Sequence, residues 1–422
     1  MKFRVKSTTL LKQILLPEIT IMNRREFLAR IFIFVVFCVL HSAAFSQNRK
    51  PFSVPFEANN NLVIVQTSVN SSKPLSFILD TGASGTVISE KAAKDLGLKL
   101  EGQAKASAQG GEIEAAFVKN ASLRLSKDIE LPKLTLAAIR LSGLEAGTGH
   151  KIDGILGYEI FNRFVVEIDY ASKLVKFYEP QNYKYAGRGK TISITVEDDT
   201  PFVRAEVAPA GRQSFEGKFL VNAGLTGTLA FNSPFVVRNK LLEILSNTKA
   251  ITFGSILAGK SAGRIGRVNS LQFGGFLISN PVANFSQDAA GDDSDAESAG
   301  MIGGEVLRRF KLIVDYSRRA IILEPNKQFS DAYEFDMSGA SLAAGGEGFK
   351  IFKVRSLIEN SPATEAGLQV GDTITAFNGK PATEMTLEQI RRMFRQAGQI
   401  YKLSVKRNES ALELTIKTRR II

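Results

Sequence analysis

A carboxylate sits where proton-transfer chemistry needs one. Phe77-Ile78-Leu79 has the apolar, strand-type pattern, and it delivers Asp80 into a turn made by Thr81 and Gly82. The strand pattern then resumes at Thr86-Val87-Ile88. A carboxyl group fixed at a strand end can take up and return a proton, which is the requirement of general acid–base catalysis. Few other groups compete for that role. The 422 residues include one cysteine, Cys38, and two histidines, His41 and His150. Cys38 and His41 fall in an N-terminal segment that reads as a secretion signal. A chain without that segment has no thiol nucleophile, no disulfide and no Cys metal site, and with His150 alone a Ser-His-Asp triad or a histidine-rich zinc site has almost nothing to be built from. The chemistry must run on carboxylates or hydroxyls, with no metal and no cofactor expected.

The elements around Asp80 occur twice. Phe77-Ile78-Leu79-Asp80-Thr81-Gly82 aligns with Phe219-Leu220-Val221-Asn222-Ala223-Gly224, and Gly154-Ile155-Leu156-Gly157 with Gly300-Met301-Ile302-Gly303. Arg163-Phe164, Asp169-Tyr170 and Glu179-Pro180 match Arg309-Phe310, Asp315-Tyr316 and Glu324-Pro325 in the same order. Motifs kept in register over whole lobes predict two homologous β-rich units, residues 52–181 and 188–326. Tyr185-Ala186-Gly187-Arg188-Gly189 reads as the short linker between them.

Asp-Thr-Gly at a strand end, followed by Ile155-Leu156-Gly157 within a duplicated chain, resembles the pepsin–retropepsin superfamily of aspartic peptidases. The resemblance covers both lobes. It implies two retropepsin-like closed β-barrels, the acid-protease fold, in a mainly β protein. It also implies that two turn carboxylates meet across a pseudo-twofold axis and share a proton, because like charges so close cannot both ionise. One activates a bound water while the other donates to the substrate carbonyl. Gly82 would allow close approach of the partner turn. The Thr81 hydroxyl would bond across to that turn, the Ser84 hydroxyl would bond the carboxylate, and Gly154–Gly157 would pack beneath. Peptides or unfolded proteins are the implied partners.

Lobe two departs from this pattern, with Asn222 in place of the second aspartate and Ala223 in place of the threonine. An amide can hold a hydrogen bond but cannot shuttle a proton. Three readings stay open: a peptidase in which Asp80 is sole base and Asn222 polarises the carbonyl, a pairing of two chains that brings Asp80 against its own copy, and a binder that holds peptides without cutting them. A flap is expected at Ala106–Glu114, its tip formed by Gln109, Gly110 and Gly111.

After about residue 340 the repeat stops. Gly346-Glu347-Gly348-Phe349-Lys350-Ile351, then Asn360-Ser361-Pro362-Ala363, Ala366-Gly367-Leu368, Val370-Gly371-Asp372 and Phe377-Asn378-Gly379, resembles a bacterial PDZ domain over residues 340–420, an α+β module. The resemblance implies capture of a peptide C-terminus by strand addition, with backbone N–H groups of Gly346, Glu347, Gly348 and Phe349 around the carboxylate. Glu347 replaces the apolar residue usual there and places a negative charge near the expected carboxylate, which leaves two expectations: a weakened affinity, or a groove that docks against the lobes instead. Phe349 and Ile351 would line a pocket with Leu387 and Ile390.

Composition limits the alternatives. Hydrophobic residues are 44% and charged residues 23%, the balance of a folded chain. The net charge of +12 drops to about +7 without residues 1–47, which hold seven Lys/Arg and two Glu. The remaining basic residues are scattered and not interleaved with aromatics, so no nucleic-acid partner is expected. Ile31–Leu40 is apolar but short for a bilayer, follows Arg24, Arg25 and Arg30, and precedes a cleavable Ala44-Phe45-Ser46. It predicts export to the periplasm or exterior, with membrane attachment only if this signal stays uncleaved. Arg24-Arg25 also resembles a twin-arginine signal. The acidic stretch Gln287–Ser298 reads as a solvated loop.

Overall fold

The structure is a computed structural model that describes residues 51–422 except 109–110, 212, 256–258 and 289–290. The segment expected to be a secretion signal and two residues of the expected flap tip, Gln109 and Gly110, lie outside the described residues. The described part forms one compact unit dominated by strands.

In lobe one the strand pairings run in a closed circuit. Leu62–Val69 pairs with Leu75–Leu79, then come Gly154–Leu156, Val87–Ser89, Ile129–Ile139 and Gly111–Ser126, and Gly111–Ser126 returns to Leu62–Val69. Leu62, Val63, Ile64 and Val65 are all buried, so this strand presents apolar side chains to both of its faces. Burying each of these large side chains contributes on the order of 1.5–3 kcal/mol.

Lobe two repeats the arrangement that matters for the site. Leu75–Leu79 runs parallel to Gly154–Leu156, and Phe215–Val221 runs parallel to Gly300–Ile302. The next strand is antiparallel in each case, Val87–Ser89 and Leu229–Phe231. The sequence repeat is therefore a repeat of strand pairing. The lobes are joined by a shared ladder in which Val165–Asp169 pairs antiparallel with Phe310–Asp315. Lys190–Ser193 and Ala320–Pro325 extend it on one side, and Leu174–Tyr178 and Phe52–Asn59 on the other.

The acidic stretch of lobe two is more ordered than a solvated loop. Asp293 is buried, the Asp295 carboxylate accepts from Ser298 and from the Glu297 backbone, and the Ser233 hydroxyl donates to the Asp288 carbonyl. Acidic side chains that cap their own turns leave a composition that reads as solvated.

The C-terminal sheet has the order Ala340–Gly345, Ile351–Leu357, Thr373–Phe377, Ile400–Arg407, Ser410–Lys417. One helix, Leu387–Phe394, covers it. Thr386 accepts from the Gln389 N–H while the Gln389 side chain returns to the Thr386 N–H, closing a capping box. Leu387, Ile390 and Phe394 then fall on one face and are buried in this domain's own core. The connector leading here is tied down. Arg309, fully buried, donates to the carbonyls of Asp331 and Ala332 and lies 3.5 Å over the Tyr333 ring.

Candidate active site

The two turns meet at the floor of the groove between the lobes. Each is hung from its parallel strand in the same way: the Asp80 N–H donates to Leu156 O and the Asn222 N–H to Ile302 O, both at 3.0 Å. The glycine of each turn lies against the other turn's polar side chain. A Cβ added at Gly82 would sit 2.5 Å from Asn222 Nδ2, and one at Gly224 would sit 2.1 Å from Asp80 Oδ2. Neither position tolerates a side chain, which is the close approach expected of Gly82.

Thr81 is completely buried and bonds across the interface twice. Its hydroxyl donates to Val221 O at 2.5 Å and accepts from the Ala223 N–H at 3.0 Å. Ala223 has no hydroxyl to return the bond, so the turns are clasped from one side. Asp80 Oδ1 accepts from the N–H groups of Gly82 (2.7 Å) and Gly224 (3.0 Å), and among the described residues no donor reaches Oδ2. Burial pushes the Asp80 carboxyl above its ordinary value, against the lowering effect of those two N–H groups. Asn222 Oδ1 accepts from the Gly224 N–H at 2.8 Å, which directs its Nδ2 toward Met301 Sδ at 3.6 Å.

Two expectations change here. Ser84 is exposed and its hydroxyl does not reach Asp80. The turn closes at Ala83, whose N–H faces Asp80 O at 3.4 Å, so Ser84 lies one residue too far along the chain. Pairing of two copies through Asp80 is excluded by geometry, since Val221, Ala223 and Gly224 of the same chain already occupy that face. Gly111 begins the second strand of the expected flap hairpin and pairs with Ala108.

The Gly346–Phe349 loop is also reassigned. It is the hairpin turn between Ala340–Gly345 and Ile351–Leu357, with Gly346, Gly348 and Phe349 all at positive φ. Gly346, Glu347 and Gly348 are exposed, and Ile351 is 45% exposed and points away from the buried Leu387 and Ile390. Phe349 does pack on the core containing those two residues. The N–H groups that lead into the free edge strand belong to Ser338 and Gly339. Both donate to Asp336 Oδ1, at 2.9 and 2.6 Å. Burial lifts Asp336 to about 6 despite these donors.

That edge strand does not face solvent alone. The Ser142–Thr148 helix of lobe one packs against Ala340–Gly345. A Cβ at Gly149 would be 2.8 Å from Leu387 Cβ, and Arg391 donates to Gly147 O at 2.6 Å. The C-terminal domain thereby walls a cavity of about 470 Å³ that Asp80 and Gly224 also line. Sequence reasoning left docking against the lobes open but missed the residues that make this wall, and it missed Asn61, whose side-chain amide crosses from lobe one to Thr226 O and Glu305 Oε2. No pattern marks residues whose partners lie some 165 to 244 positions away.

Residues 65–160 match the family model described as aspartyl protease, and residues 353–407 match a PDZ domain model. The crystal structure of an aspartic proteinase from Irpex lacteus is similar at a TM-score of 0.43 and 14% identity, over 67% of this chain and 99% of that one. Comparison with the curated proteins finds no match. Within a mainly β chain, lobe one is thus similar to aspartyl proteases over residues 65–160, and the C-terminal module to PDZ domains over residues 353–407.

Proposed function

We propose that this protein is an aspartic-type endopeptidase of exported or envelope peptides, with Asp80 as its one ionisable catalytic group and its PDZ domain controlling access. The observation that carries the reading is the clasped pair of turns, which leaves Asp80 Oδ2 without a protein donor on the groove side. A water held between Asp80 and Asn222 would lose a proton to the carboxylate as its oxygen bonds the peptide carbon. Asn222 Nδ2 would leave Met301 Sδ, a weak acceptor, and donate to the developing oxyanion. The proton on Asp80 would then pass to the departing nitrogen as the C–N bond breaks.

A second reading, a binder that does not cut, is favoured by Asn222 and Ala223, which remove the second carboxyl and the second clasp. Cleavage of an unfolded protein separates the two. Asp80→Ala is expected to abolish cleavage, and cleavage that survives would remove Asp80 from the mechanism. Asn222→Asp is expected to raise pepstatin-sensitive cleavage by about 10²-fold, the lower end of the range for a positioned acid–base group. The dependence on pH should differ as well. The native enzyme needs only an ionised Asp80, so kcat/KM rises along a single limb. The Asn222→Asp variant needs one carboxyl ionised and one protonated, and it gives a bell.

A further inference from the structure

The Asn222 turn repeats the Asp80 turn in its strand support, its own-turn N–H bond and its glycine contact. At the polar side chain itself the two differ in one group, an NH2 for an oxygen. That amide lies beside the carboxylate, because the single N–H of Gly224 donates to Asn222 Oδ1 at 2.8 Å and to Asp80 Oδ1 at 3.0 Å. A Cβ at Gly82 would be within 2.9 Å of Asn222 Nδ2, Cγ and Oδ1, so the Asp80 turn backs the whole carboxamide. Met301 Sδ, a weak acceptor at 3.6 Å, does little to hold Nδ2 in place. Asp80 and Asn222 are both partly exposed, and Asp80 and Gly224 line a cavity of about 470 Å³ with ample room for water.

We infer that Asn222 is a self-modification site: Asp80 hydrolyses its side-chain amide, and the encoded chain is a precursor that installs its own second aspartate. The inference rests on the water-activating role proposed for Asp80 above, turned on the chain's own amide while no substrate fills the groove. Asp80 takes a proton from a water as the water oxygen bonds Asn222 Cγ. The carbonyl electron pair moves onto Oδ1, where the Gly224 N–H stands at 2.8 Å, the distance of an oxyanion donor. The pair then returns, the Cγ–Nδ2 bond breaks, and the proton held by Asp80 leaves with the nitrogen. Water and amide become carboxylic acid and ammonia. The competing backbone route is closed. It needs the nitrogen of Ala223 to attack Cγ, but Ala223 is buried and its N–H donates to the Thr81 hydroxyl at 3.0 Å. That hydroxyl is fixed in turn by its bond to Val221 O. Direct hydrolysis yields aspartate alone, whereas the backbone route yields chiefly isoaspartate. In the product two carboxyls face each other and share a proton. The single-limb pH profile above belongs to the freshly folded chain, and the bell to the modified one.

The test is peptide-mapping mass spectrometry on the full-length chain, incubated without substrate over a range of pH. The peptide spanning residue 222 should gain the mass of an NH2-to-OH exchange and fragment as aspartate, not isoaspartate. Asp80→Asn keeps the shape of the side chain and should slow conversion by at least ~10²-fold. Asn378, exposed and followed by Gly379, is open to the backbone route and should convert equally in both chains. If the variant does not fold, the native chain decides alone. Conversion through Asp80 levels off once that carboxyl is ionised, whereas the backbone route keeps rising with hydroxide. Cleavage of an unfolded protein, followed in the same samples, should rise by about 10²-fold with the mass change and level at the rate of Asn222→Asp. An intact amide, isoaspartate as the main product, or equal conversion in Asp80→Asn overturns the inference, and the peptidase reading stands if the native sample still cleaves through Asp80. Conversion without cleavage supports the inference and overturns the endopeptidase reading. Neither conversion nor cleavage overturns both.

Discussion

At the scale of single residues, the environment of Asp80 sets opposing demands on stability and chemistry. Burial makes the folded chain hold the Asp80 proton more tightly than the unfolded chain does. Stability from this group is then complete below the unfolded value, near 3.8, and is lost as pH rises through the raised folded value. Asp80→Asn should therefore raise the Tm at pH 7 by a few degrees and leave it unchanged at pH 3, as read by calorimetry. An equal gain at both pH values would show that the carboxylate is not strained by burial. Some of this site could be read from residue types, because Asp80, Thr81 and Gly82 have roles that only those side chains fill. Ser84 could not, since a one-residue difference in where a turn closes leaves no mark on composition.

At the scale of elements, the clasp depends on one hydroxyl. Thr81→Val keeps the shape and removes both cross-turn bonds, leaving Val221 O and the Ala223 N–H buried without partners. The loss should be about 2–4 kcal/mol in denaturant unfolding, and a loss below ~1 kcal/mol would mean that the turns are held by packing. The duplication was readable because strand, turn and apolar-Gly motif recur together, and the structure pairs those same segments. The Gly346–Phe349 turn misled for a physical reason. A tight hairpin and an anion-binding loop both need residues at positive φ, so both are rich in glycine. Arg163 and Arg309 show how matched positions diverge. Arg163 is half exposed and forks onto Glu179, whereas Arg309 is buried and fastens the connector.

At the scale of the whole molecule, the PDZ domain is a wall of the groove. Its contact with lobe one is narrow at Gly149, which has φ of 67° and lies against Leu387. Gly149→Leu should undock the domain, seen as a larger radius of gyration in solution scattering, with the Thr81 clasp intact. An unchanged radius would contradict the docking. Docking of the groove against the lobes was open from the sequence, but the residues that make the contact were not, because Arg391 and Gly147, like Leu387 and Gly149, meet only after folding and each is unremarkable in its local window.

The ladder shared by Val165–Asp169 and Phe310–Asp315 bears on how anything enters. It lies in the middle of a six-strand sheet to which both lobes contribute, so swinging the lobes apart would unzip a continuous run of main-chain bonds. The C-terminal module, held to lobe one by side-chain contacts and not by a strand ladder, can leave without breaking any of those bonds. Displacing it would uncover one wall of the groove while the shared sheet stays zipped.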